Sequence, residues 1–99
     1  MSNARTAAVL RDARDLITER GWTAVWPRKT HALSIRSAII LAADGNSATY
    51  CDAVNAWRDI VKDGVMSWEF GTHADPPRRR TQEEVVKMLN KVIRRLESR

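Results

Sequence analysis

Seven cations near the C-terminus are the residues best placed to do chemistry. Arg78, Arg79 and Arg80 are consecutive, and Lys87, Lys91, Arg94 and Arg95 follow. On a helix, Lys87, Lys91 and Arg95 stand at i, i+4 and i+8. Like charges then become neighbours, at a cost of roughly 0.2–0.5 kcal/mol per pair. A face kept for solubility alone could alternate signs. Ammonium and guanidinium groups in one strip suit phosphate oxygens, so these seven residues are the expected contacts to double-stranded DNA. The blander account is a solvated face, with Arg94 and Arg95 easing the negative end of a helix dipole.

Other constellations are sparse. His31 and His73 are isolated, and the single cysteine, Cys51, leaves no recognisable metal-ligand spacing. No glycine-rich phosphate loop or nucleophile elbow occurs. Cys51 is expected to be a small core residue on a helix flank. Asp59 and Asp63 could share a site, but two aspartates on an outer helix face are usually solvated. No catalytic residue, metal or cofactor is assigned, and the expectation is a protein that is not an enzyme. Trp22 and Trp26 lie near Arg28 and Lys29, a mixture that nucleic-acid binders use for stacking. Plugging a small core is the simpler role for both indoles.

The elements that must position these residues follow from periodicity. Thr81 and Glu84 have capping-box spacing, and Glu83 and Glu84 suit a positive helix end. Val85, Val86, Met88, Leu89, Val92, Ile93 and Leu96 fall in an arc of about 160° at about 100° per residue, which predicts a core-facing helix over 81–97. Residues 4–20 are a second helix, with Thr6, Val9, Leu10, Ala13, Leu16 and Ile17 on one face, an Arg11–Asp15 pair, and Gly21 as its stop. Residues 34–44 form a short apolar helix, capped by Ser34 and containing Ile35, Ala38, Ile39, Leu41 and Ala42, and it should be central. Residues 47–63 form another, with Tyr50, Val54, Trp57 and Val61 inward, Asp52, Asp59 and Asp63 outward, and Gly64 ending it. Val65, Met66, Trp68 and Phe70 should pack as a turn or irregular segment. Residues 71–80 read as an exposed basic loop whose arginines should matter little to stability. The fold class is all-α: a small single-domain bundle of about four helices spanning 1–99.

Composition narrows the functional classes. The chain has 99 residues, a net charge of +5 and mildly negative mean hydropathy. No apolar run approaches the roughly 20 residues that cross a bilayer, so no membrane partner is expected. One cysteine fits a reducing compartment, and a cytoplasmic location follows. The charge is uneven: +4 over residues 1–43, −4 over 44–75 and +5 over 76–99. That layout favours a polyanion or contacts between copies. Helices 34–44 and 47–63 have the coarse layout of a helix-turn-helix. However, Asp52, Asp59 and Asp63 on the second helix would repel phosphates, so it is rejected as a reading head.

Leu16-Ile17 with Gly21-Trp22, Ala38 in the short helix, Trp68, and Thr81-Gln82-Glu83-Glu84-Val85 together resemble a family of short uncharacterised helical proteins of actinobacteria and their phages. The chain departs from that pattern at Ser34-Ile35-Arg36-Ser37-Ala38, where a Cys…Gly-Ala start is expected. It departs again at Glu69-Phe70, where Asn-Asp is expected. The resemblance implies a bacterial or phage origin, and it implies no activity.

The leading expectation is a small basic accessory protein that binds double-stranded DNA largely independently of sequence and could modulate transcription. The alternative is a protein-interaction module that binds and modulates a host bacterial protein, motivated by the acidic middle and by Val65, Met66, Trp68 and Phe70. Amphipathic first and last helices suggest a homodimer.

Overall fold

The computed structural model describes residues 3–24, 32–74, 76 and 78–98. Among them are five α-helices: α1 (Asn3–Arg20), α2 (Ile35–Ala42), α3 (Ser47–Val61), α4 (Val65–Phe70) and α5 (Gln82–Glu97). No strand occurs among the described residues. An isolated parallel bridge joins Trp22 to Leu33. The chain is a small all-α domain, with a Cα radius of gyration of 12.6 Å, close to the ~13 Å typical of 100 residues.

The first and last helices form the main seam. The apolar arc of α5 lands as expected: Val85, Leu89, Val92, Ile93 and Leu96 are buried, with Val86 and Met88 packed at its edges. Each fully buried aliphatic is worth roughly 1.5–3 kcal/mol. Opposite it, α1 buries Thr6, Ala7, Val9, Leu10, Ala13 and Ile17. Arg14 donates from Nη1 to the Asn90 side chain at 2.9 Å across this seam. Arg11 pairs with Glu97 rather than with Asp15, which instead takes Arg14. The expected i, i+4 pair gives way because α5 brings its last-turn carboxylate alongside α1.

Caps begin three helices. Ser34 accepts from the Ser37 amide, Asn46 from Thr49, and Thr81 and Glu84 form the full capping box. Gly21 takes φ +88°, and its amide closes α1 on the Ile17 carbonyl. The end of α3 differs from expectation. Lys62 adopts the left-handed conformation, at φ 64°, and Gly64 instead precedes α4 as its N-cap.

The interior corrects several burial expectations. On α3, Ala53 and Trp57 are buried, while Tyr50 and Val61 pack at the margin. Trp57 meets Trp68 edge to face at 5.3 Å between centroids, and its indole N–H finds no acceptor among the described residues. Cys51 is exposed, not a core residue. On α2, Ile35, Ala38 and Ile39 are buried, but Leu41 turns outward. Eight residues cannot present one face all round. Asp63 is mostly buried: its carboxylate accepts from the Gly64 amide at 2.8 Å and faces His73 at 3.2 Å. Trp26, Arg28, Lys29 and His31 lie outside the described residues.

Candidate nucleic-acid interface

Residues 64–80 hold the largest departure from the sequence reading. Val65–Phe70 is a helix, α4, not an irregular segment. Val65, Trp68 and Glu69 share its buried face at i, i+3 and i+4, while Met66 is 55 % exposed. Gly71 then reverses the chain at φ +65°. A Cβ on Gly71 would stand 1.4 Å from the Arg78 carbonyl oxygen. Only a glycine allows that approach. The Arg80 amide donates to the Glu69 carbonyl at 3.1 Å. The basic segment is therefore folded back against α4, and Gly71 itself is buried.

The three consecutive arginines have three different fates. Arg78 makes a fork on Glu84, Nη1 to Oε1 at 2.9 Å and Nη2 to Oε2 at 3.1 Å. That hydrogen bond is the main reason the Glu84 carboxyl drops to a pKa of about 2. Arg79 is exposed, with its guanidinium 5.7 Å from the Phe70 ring centroid. Arg80 is drawn inward. Its guanidinium lies 4.5 Å from the Trp68 ring centroid, and Nε donates to the Trp68 carbonyl at 3.0 Å. Its Nη1 also stands 3.7 Å from Glu84, and the side chain is 20 % exposed. A cation stacked on an indole with little water nearby is worth roughly 0.5–2 kcal/mol. The expectation that this segment is a free, exposed loop does not hold for Gly71 or Arg80.

The cations of α5 are different. Lys87, Lys91, Arg94 and Arg95 are all exposed, and at about 100° per residue they fall within an arc of about 100°. Lys87 lies 3.5 Å from the exposed Glu83. Arg80, Lys87 and Lys91 line one shallow groove of about 260 Å³, together with Trp68, Glu84 and Met88. The structure thus brings Arg80 beside Lys87 and Lys91 and places Arg94 and Arg95 farther along the same helix face. That groove can offer ammonium groups to an anion. Glu84 lines it too, which limits its positive character.

Glu69 was not singled out from the sequence, and it is the least expected group in the molecule. It is 2 % exposed. Its Oε2 accepts from the Trp22 indole Nε1 at 2.7 Å and from the Ile35 amide at 2.9 Å. Desolvation raises its pKa to about 6, against the opposing pull of the Ile35 and Trp22 hydrogen bonds. The signal was present: Val65, Trp68 and Glu69 have helical spacing, which puts the carboxylate on the apolar face. No group of three or more His, Cys, Asp or Glu residues able to hold a metal occurs among the described residues. No helix among them is long and apolar enough to cross a membrane.

Residues 1–95 match the family of unknown function (DUF6197), and the chain belongs to that family. No curated protein and no solved structure matches it.

Proposed function

We propose that the protein is a non-enzymatic binder of double-stranded DNA whose phosphate contacts lie on the outer face of α5. The observation that carries this reading is the run of Lys87, Lys91, Arg94 and Arg95, exposed on one side of one helix. From Lys87 to Arg95 the rise is about 12 Å. That length matches about three or four phosphates at ~3.4 Å per phosphate along a strand's axis. Arg79 is exposed nearby and adds to the field. Arg78 and Arg80 contribute less, because Glu84 neutralises the first and Trp68 holds the second. Binding of this kind is sequence-tolerant and salt-sensitive. A role in modulating transcription by occupying DNA fits it, as do a bacterial or infected-host cytoplasm and an origin in actinobacteria or their phages.

The test is a salt titration of binding to a random duplex. Log K against log salt should slope at about −3, from about 0.9 per phosphate contacted. Replacing Lys87, Lys91, Arg94 and Arg95 with alanine together should abolish the slope. Absence of binding by the wild-type protein at low salt overturns the reading.

A second reading rests on a separate observation. Ile40, Leu41 and Met66 are 46 %, 50 % and 55 % exposed on α2 and α4, and Ile40 and Met66 line one groove. Such a cluster suits an interaction module that docks on a host bacterial protein, or a homodimer. Retention of one partner from host lysate at high salt after nuclease treatment favours docking. A doubled mass in light scattering that Met66→Lys restores to the monomer favours the dimer.

A further inference from the structure

We infer that the groove between α2 and α4 is a small-molecule site for an organic ammonium ion, with the cationic head against Glu69 and an apolar body against Ile40, Met66 and Phe70. The groove has a volume of about 520 Å³ and is also lined by Ser34 and Arg36. That volume lies within the roughly 300–1,000 Å³ of small-ligand sites. Its lining joins the apolar Ala24, Ile40, Met66 and Phe70 to the polar Ser34, Arg36, Ser37 and Glu69.

Three observations select the ligand's chemistry. Both hydrogen bonds of the Glu69 side chain among the described residues converge on Oε2, from Trp22 and Ile35. Its Oε1 accepts none among the described residues, and Glu69 itself lines the groove. No cation in the described structure pairs with this carboxylate. Two described arginines close to Glu69 make their contacts elsewhere: Arg36, which lines the same groove and keeps its charge, donates from Nε to the Tyr50 hydroxyl at 3.1 Å, and Arg80, whose amide bonds the Glu69 carbonyl, lies over Trp68. If the protein needed only an acceptor for the Ile35 and Trp22 N–H groups, a glutamine oxygen would serve without a buried charge. A carboxylate there is useful to a positively charged donor, and charge-assisted hydrogen bonds are about twice as strong as neutral ones. Ile40 and Met66, exposed around the same groove, give the rest of the ligand an apolar surface.

Phenethylammonium and its neutral analogue 2-phenylethanol are the probes. Titration is followed by amide NMR, reading the Ile35 amide and the Trp22 indole N–H, which both bond Glu69. Phenethylammonium should shift both signals saturably below about 10 mM, as expected for a fragment of its size. The alcohol should bind about tenfold more weakly, and Glu69→Gln should bring the ammonium down to the alcohol's level. Ile40→Ser, at an exposed position, should weaken both probes. Absence of saturable shifts, equal affinity for the two probes, or an unchanged ammonium affinity in Glu69→Gln overturns the inference. Should Glu69→Gln fail to fold, unchanged affinities in Ile40→Ser overturn it independently.

Discussion

Two basic stretches that look alike as letters behave differently as structure. Arg78–Arg80 and the Lys87–Arg95 face lie within twenty residues of each other and carry similar charge. In the first, two of the three arginines are engaged by the fold, Arg78 in a fork on Glu84 and Arg80 in a stack on Trp68 beside the turn at Gly71, while Arg79 stays exposed. The second is left in water because the apolar arc of α5 already fills the core and turns its opposite side outward. Whether a cation is available to a partner depends on what its neighbours need, and arginines placed just before a helix start meet both a capping glutamate and the exposed end of the preceding helix.

The sharpest way to break this contrast is at Gly71. Gly71→Ala would put a methyl 1.4 Å from the Arg78 carbonyl at a left-handed φ. It should cost more than about 3 kcal/mol in urea denaturation, far beyond any change on the α5 face. A loss under 1 kcal/mol would mean that the arginine segment is not anchored at all.

Next in size are the two perturbed carboxylates, whose contributions run in opposite directions with pH. Glu69 has its pKa raised to about 6 in the fold. Its contribution is present below the unfolded value of about 4.5 and lost as pH rises through 6, a loss of about 2 kcal/mol. Glu84 is lowered to about 2 by Arg78. Its contribution is present above 4.5 and lost as pH falls toward 2. Stability measured by denaturant across pH 2–8 should therefore fall on both sides of about pH 4–5 from these two groups. Glu69→Gln should remove the alkaline limb and Glu84→Gln should reduce the acidic one. A Glu69→Gln protein with the wild-type alkaline limb would show that burial does not govern this carboxylate.

Arg80→Ala removes a desolvated cation–π contact and a hydrogen bond to the Trp68 carbonyl, and should cost about 2 kcal/mol. Arg78→Ala should cost less, since its fork on Glu84 is in water. Smallest is Lys91→Ala, expected within about 0.5 kcal/mol of wild type, while flattening the DNA salt slope by about one unit. An equal loss of stability in Arg80→Ala and Lys91→Ala would erase the distinction between the two stretches.

Much of this was legible before any coordinates. Periodicity over 85–96 identified the buried arc of α5, and Thr81 with Glu84 identified its cap. Both are local properties of consecutive residues, set by helix geometry alone. Gly21 and Ser34 were legible for the same reason. At Val65–Phe70 six residues were too few for a clear period, so a helix looked like a turn or irregular segment and Glu69 was not singled out. The sequence pairs Arg11 with Asp15 because only chain neighbours are visible in it; Glu97 reaches Arg11 through the α1–α5 seam.

By itself, then, the sequence determined the all-α class, the start and buried stripe of α5, and the excess of positive charge. Those depend on spacing within one element. The tertiary structure alone decided which cations stay free, that Cys51 lies outside the core, and that a carboxylate sits beneath α2 against the Trp22 indole. Each of these depends on the distance between residues far apart in the chain, and that distance comes into being only when the helices pack.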